Sequence, residues 1–359
     1  MQIPLVDVKA QYAPLGAELE ARFREILESG QFIRGPHYYA FQEEAAAFLG
    51  VSKTIGVANG TDALVIVLDA MEIGPGDEVI CPAFTFYATA ESIARRGATP
   101  VFADVDPVTL NLDPGDVAAK ITERTRAIMP VHLFGRPTPL AELGSLGVPL
   151  IEDAAQAFGA PGVARTGIAS TYSFYPTKNL FALGDAGLVA ANDEELAARV
   201  RLLRFHGSKA KVEFELVGYN SRLDEIHAAA LRLFLPHLDR WTTLRREAAE
   251  RYRELGLGEL VTTPEDEPGH VYHLFVSRSS ERDRIVAALR DAEIGCATYY
   301  LPPLHLQPAL SYLGYAGGSL PETERLAREN FSVPLWAGIT SEQQERVVDV
   351  VRSAVGVAA

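Results

Sequence analysis

The sequence predicts an α/β fold, with a mostly parallel central sheet between helices and a smaller C-terminal α+β unit. Three observations carry this. From about residue 54 to 191, short β-like runs alternate with helical segments, the pattern of parallel strands joined by helical crossovers. Two helical stretches closed by glycine precede that block, and another strand–helix pattern follows from about residue 265. The 359 residues, 48% hydrophobic and 22% charged, are enough for a large and a small domain with a substantial core. A larger domain is expected over residues 1–240 and a smaller one over 241–359.

In chain order, "PLGAELEARFREILESG" and "PHYYAFQEEAAAFLG" read as the two leading helices. Strands are expected at "TIGVAN", "EVICP", "TPVFADV", "RAIMPVH", "VPLIED", "TYSFY" and "GLVAAN". Between them, "TDALVIVLDAM", "YATAESIARRG" and "PLAELGSLG" carry helical spacing. "DEELAARVRLLRFHG" follows as a helix, and "GYNSRLDEIHAAALRLFLPHLDRW" opens a long one that Pro236 bends or interrupts. The C-terminal unit then reads as strand "HVYHLFVS", helix "SERDRIVAALRDAE", strand "GCATYY", a Pro-rich loop and terminal helices.

Composition excludes several classes. A net charge of −14 argues against a nucleic-acid binder or a protein held on anionic membranes. Any anionic ligand therefore needs a local cradle, such as a helix N-terminus. With only Cys81 and Cys296 there is no disulfide framework or thiolate cluster. The start "MQIPLVDVKAQY" has no signal-peptide pattern, and no apolar run approaches the ~20 residues of a membrane span, so a cytoplasmic protein is expected.

In parallel sheets ligands bind beyond the carboxyl ends of the strands, so the loops there are the place to look for chemistry. "VPLIED" ends in Glu152 and Asp153; Asp153 there is either a ligand-facing carboxylate or a helix cap. "ANGTDAL" puts Gly60 and Thr61 at a strand-to-helix junction, suited to a phosphate and equally to a plain capped turn. "PAFTFYATA" ends another strand with Phe84, Phe86 and Tyr87, which either cover a flat ligand or pack as core. Lys178 in "SFYPTKNLFALGDAG" sits among aromatic and apolar residues, either snorkelling to water or held in an apolar site. Walker, GxGxxG, HExxH and GxSxG patterns are missing. His270 and His273, three apart in a strand, point to opposite faces, so no metal site is expected. Phosphate cup, stacking aromatic, carboxylate and buried lysine together are what pyridoxal phosphate requires. The lysine supplies a Schiff-base amine with a lowered pKa, and the carboxylate keeps the pyridine nitrogen protonated.

The chain resembles the DegT/StrS-type sugar aminotransferases, which are pyridoxal-phosphate enzymes of the aspartate-aminotransferase-like fold type I. The resemblance runs in order through "GQFIRGP", "ANGTDAL", "GPGDEVICPAFTFYATA", "FADVDPVTLNLDP", "PVHLFGRP", "IEDAAQAFGA", "SFYPTKNL", "GDAG", "RFHG", "GYNSRLDEIHAAAL" and "PPLHLQPAL". It implies that Lys178 is the internal aldimine lysine and proton shuttle, and that Asp153 pairs with the pyridine nitrogen. It also implies that Gln156 approaches the phenolic oxygen, that Phe86 stacks on the ring, and that Gly60, Thr61 and Ser173 hold the phosphate. Asn220 matches a residue reaching the phosphate of a neighbouring subunit, which implies a homodimer with shared active sites. The family moves an amino group, usually from glutamate, to a keto-sugar on a nucleoside diphosphate. Phe32, Arg222, Tyr299 and His305 are the substrate-side candidates, with Arg222 either holding glutamate or closing a salt bridge at the helix start.

Departures from the family pattern are local. Where relatives read "GDGG", this chain has Gly184-Asp185-Ala186-Gly187. "PGVARTGIA" shortens the hairpin after "FGA", and Tyr299-Tyr300-Leu301 replaces a His-Tyr-Pro. The "PLHLQPA" form resembles members that aminate C-3 of a keto-sugar more than those acting at C-4. Two alternatives accompany the aminotransferase reading: a catalytically silent, cofactor-binding regulatory protein, and a sugar dehydratase. Dehydratase relatives carry histidine at the position of Lys178.

Overall fold

The computed structural model describes residues 2–356; Met1 and residues 357–359, the outer ends of the two expected domains, lie outside them. The first seven strands are β1 (Lys53–Val57), β2 (Glu78–Pro82), β3 (Thr99–Ala103), β4 (Thr125–Ile128), β5 (Ile151–Asp153), β6 (Ala169–Ser173) and β7 (Gly187–Ala191). β3-β2-β4 and β5-β6-β7-β1 form two ladders. Parallel bridges from Ile128 to Leu150 and from Val131 to Asp153 join them. Only β7 runs against its neighbours, so the sheet is mostly parallel. All seven expected strands form.

Residues alternate between two helical layers, as the period of a strand requires. Leu188 and Ala190 of β7 enter the core with Phe41, Phe174 and Phe234, while Val189 and Ala191 enter the core with Leu64 and Val67 of the helix Gly60–Ala70. Both sheet edges are covered. On β1, the Gln42 side-chain oxygen accepts from Gly56 N at 3.0 Å and the Thr54 hydroxyl donates to the Gln42 carbonyl at 2.7 Å. On β3, Phe102 N donates to the Tyr315 hydroxyl at 3.0 Å. Covered edges offer no open ladder to another chain.

Pro236 falls in a 3₁₀ turn, Leu235–His237, between the helices Glu225–Phe234 and Leu238–Glu254. The first of these begins later than "GYNSR" suggested, because residues 220–224 run extended: Asn220 bridges Phe205, and Asp224 bridges Ile33. Glu225 then caps a distant helix, its carboxylate accepting from His37 N at 2.5 Å and Tyr38 N at 3.0 Å. A negative charge at that N-terminus satisfies free amides and opposes the helix dipole.

The C-terminal region forms β8 (Phe275–Arg278) and β9 (Asn330–Val333), an antiparallel pair. β8 starts five residues later than expected, because Val271 N and Leu274 N instead donate to the carbonyls of Gly135 and Phe134. The expected strand "GCATYY" does not form. Ala297 alone is bridged, to Ser332, the preceding Ile294 bridges Ile3, and a Cβ on Gly295 would lie 2.3 Å from Leu5 N. The helix Leu238–Glu254 buries Leu238 and Trp241 in one core, and Ala248, Ala249 and Tyr252 in the core around β8 and β9. Ile3 joins that C-terminal core as well. Among the described residues no helix is long and apolar enough to cross a membrane.

Alternation along β5 separates its two carboxylates. Glu152 is fully buried, accepting from His132 Nε2 at 3.0 Å, Ala164 N at 2.9 Å and Gly167 N at 2.7 Å. Thr138 N donates to His132 Nδ1, so Nε2 carries the proton. Burial pushes the Glu152 carboxyl up, but the His132 donor and the two amides outweigh it and hold it below its usual range. A depressed folded-state pKa adds stability above the unfolded value of about 4.3, and that stability is lost as pH falls through the folded value. Glu152→Gln is expected to lower unfolding free energy at pH 7 by about 1–3 kcal/mol. Urea titrations should show that gap shrinking below about pH 4, as the wild-type carboxylate protonates.

Candidate active site

The carboxyl ends of β1, β5 and β6 and the start of β7 meet at one place. After β1, the Asn59 side chain accepts from Asp62 N at 2.8 Å and its carbonyl from Ala63 N, opening the helix Gly60–Ala70. The amides of Gly60 and Thr61 lie at the start of that helix, ahead of any intrahelical acceptor. Gly60 packs on the end of β6: a Cβ there would sit 2.8 Å from Ser173 Cβ. At Gly187 a Cβ would lie 2.4 Å from the Asn59 carbonyl oxygen. Gly187 is thus the first residue of β7, required by close packing, and not part of a turn. Gly60, Thr61 and Ser173 come together as a cup of amides and hydroxyls.

Asp153 ends β5 almost wholly buried. Its Oδ2 accepts from the Thr89 hydroxyl at 2.9 Å and its Oδ1 from Ala155 N at 3.2 Å. Burial pushes its carboxyl up, opposed by those donors and by the charge of Lys178. Lys178 follows a tight turn, its N–H bonded to the Tyr175 carbonyl at 2.8 Å. The next residue, Asn179, anchors the loop by donating to the Val271 carbonyl at 2.8 Å. Desolvation pushes the Lys178 ammonium down to about 8, against the pull of Asp153. A snorkelling lysine would keep its charge free in water; this one is half-buried and has no ion pair within 4 Å among the described residues.

Gln156 is fixed in orientation. Its Oε1 accepts from Phe134 N at 2.7 Å and its Nε2 donates to the Tyr300 hydroxyl at 3.3 Å. The three aromatics of "PAFTFY" divide: Phe84 is buried against Phe134 and Tyr300, whereas Phe86 is 60% exposed and open to a flat ligand. The bridge from Ile33 to Asp224 and the bond from Glu225 N to the Phe32 carbonyl bring together the segments that carry Phe32 and Arg222. Arg222 is half-buried and forms no salt bridge among the described residues, which removes its structural explanation. Asn220 is exposed. The neighbouring Ser221 hydroxyl accepts from Ala58 N at 3.0 Å, next to the cup.

Two substrate-side expectations take a different form. His305 is buried, 3.2 Å from Glu324 Oε1, so it packs the loop to the helix Pro321–Glu329 and is not open to a sugar. Tyr299 is largely packed too, its ring on Phe134 and its backbone N–H bonded to Asn330 Oδ1 at 2.9 Å. Tyr300 reaches the site instead, through Gln156. Thr89 escaped the sequence reading, since a threonine at the second position of the helix Ala88–Arg95 carries no signal of the carboxylate it bonds. His270 stacks on Tyr272 at 3.9 Å, and among the described residues no three His, Cys, Asp or Glu side chains gather as a metal site would need.

These residues fit pyridoxal phosphate. A buried carboxylate and a lysine whose charge is disfavoured lie on neighbouring loops, and Thr89, bonded to that carboxylate, also donates its backbone N–H to the carbonyl of the exposed Phe86. Beside them, a glycine that admits no Cβ leaves amides and a serine free for a phosphate.

Comparison with known proteins agrees with this geometry. A sequence profile of the DegT/DnrJ/EryC1/StrS aminotransferase family matches residues 14–352. A protein of Geobacillus stearothermophilus named as a pleiotropic regulatory protein is 46% identical, over 97% of each chain. The UDP-N-acetyl-3-dehydro-alpha-D-glucosamine 3-aminotransferase of Acidithiobacillus ferrooxidans is 42% identical, over 98% of this chain and 97% of its own. The crystal structure of S. venezuelae DesV in complex with a ketimine intermediate superposes with a TM-score of 0.95, at 40% identity and full coverage of both chains. The chain is an aminotransferase that belongs to the DegT/DnrJ/EryC1/StrS family.

Proposed function

We propose that this enzyme uses pyridoxal phosphate to move an amino group from glutamate to C-3 of a nucleoside-diphosphate-linked 3-ketohexose, acting as a homodimer. The observation that carries the chemistry is the lowered amine of Lys178, coupled electrostatically to the buried Asp153, with Phe86 exposed on the turn before Thr89. The choice of C-3 rests on the likeness to the Acidithiobacillus enzyme, named for a 3-amino transfer.

When bound, the cofactor supplies an electron sink through which nitrogen leaves one carbon skeleton and joins another. Phe86 would cover its ring, Gly60, Thr61 and Ser173 would hold its phosphate, and Gln156 would face its phenolic oxygen. Asp153, its charge supported against the cost of burial by Thr89 and the Ala155 amide, would hold a proton on a ring nitrogen placed beside it. Lys178 Nζ, with a pKa of about 8, is available as a neutral amine near neutral pH, able to take a proton from a carbon and return it to another. Arg222, free of carboxylates of its own, holds the donor's carboxylate. Asn220, exposed beside Ser221, reaches the phosphate held by a second copy.

The test is spectroscopic. The cofactor-loaded protein mixed with glutamate should lose its visible absorption and release 2-oxoglutarate, and Lys178→Ala should do neither while remaining folded. A bound but unreactive cofactor would instead support the regulatory role for which the Geobacillus relative is named. Uptake of pyridoxal phosphate by cofactor-free protein should accelerate with pH and level off above about 8, because only the neutral Lys178 amine attacks the aldehyde. An unperturbed lysine would keep accelerating to about 10.4. Thr89→Val should lower turnover about tenfold or more, the worth of one hydrogen bond to a buried charge, whereas Thr89→Ser should retain most of it.

A further inference from the structure

A second site lies on the outer face of the helix Pro36–Leu49, where it covers β1. A cleft of about 310 Å³ is lined there by Arg34, Tyr38, Tyr39, Lys53, Arg201 and Arg204, with Glu43 also on its wall. Four cations gathered in a chain of net charge −14 are an anomaly. Arg201 and Lys53 share one carboxylate, Glu194, at 3.3 and 3.6 Å. Arg34 and Arg204 have none among the described residues. Arg34 donates to the Tyr39 hydroxyl at 3.1 Å and lies over the Phe205 ring at 4.7 Å; Lys211 stands over the same ring at 5.0 Å.

Arg204 is the decisive residue. It is only 6% exposed, yet its Nε and Nη1 are buried without any hydrogen-bond partner. The Tyr38 ring, 5.2 Å away, offers a cation–π contact, but neither of those atoms is hydrogen-bonded to it. A buried guanidinium left without acceptors is costly, and Arg34 and Arg201 add like-charge repulsion. An incoming oxyanion relieves both, because guanidinium forks match phosphate oxygens.

We propose that this cleft is an anion site, separate from the cofactor's phosphate cup, that takes a phosphate-type dianion between Arg204 and Arg34. Free phosphate and a phosphomonoester present the same group. Calorimetric titration of the cofactor-loaded enzyme, whose own cup is filled, with inorganic phosphate and with glycerol 3-phosphate tests the site. Binding of either at one equivalent per chain is expected, the tighter one identifying the source. Arg204→Gln and Arg34→Gln should each weaken it about tenfold or more. Arg34 is a surface residue, so the second variant decides the matter if the first does not fold. No binding by the wild type overturns the proposal, even if Arg204→Gln alters the oligomeric state, since the missing acceptor would then belong to another copy. Binding that both variants leave unchanged overturns it as well, placing the anion elsewhere.

Discussion

Everything at this site depends on withdrawing a carboxylate, and in part an amine, from water. Burial works against both: it pushes Asp153 up and Lys178 down. The enzyme does not correct the two symmetrically. Asp153 is given local donors, Thr89 and the Ala155 amide, which favour its charge. Lys178 is given none within reach, so its charge stays expensive and its amine accessible. The same desolvation therefore disfavours both charges, opposed in part at Asp153 by two hydrogen bonds and left to lower the amine of Lys178.

The surrounding architecture holds that pair in position. β5 supplies Asp153 on one face and, on the other, Glu152, locked by His132 and two amides. The strand end is thus anchored through the residue that performs no chemistry. On the far side, Asn179 ties the lysine loop to residue 271, and Gln156 is held by both Phe134 and Tyr300. The loops bearing the chemistry are pinned by side chains adjacent to the reactive ones.

Much of this could be read from the residues, for physical reasons. Buried strands such as "EVICP" and "GLVAAN" are apolar runs flanked by turn signals, and Pro236 cannot continue a helix, so both were legible. Lys178, Asp153 and the Gly60 junction were legible because their residue types conflict with their apolar neighbourhoods. Features set by distant partners were not. "GCATYY" has β-forming residues but finds only a single bridge, since the chain near Leu5 and Asn330 occupies its sides. His305 looks available in sequence and is consumed by Glu324 nineteen positions away. Thr89 is ordinary until folding brings Asp153 to its hydroxyl.

The covered sheet edges bear on how copies of this chain can meet. The Gln42 side chain occupies the middle of one outer strand and the Tyr315 hydroxyl the middle of the other. Neither rim offers an unbroken rail of backbone groups onto which a neighbour could zip. Along these two rims, recognition of another chain would rest on side chains and loops, whose fit is particular to this sequence, and not on main-chain pairing, which any strand could imitate.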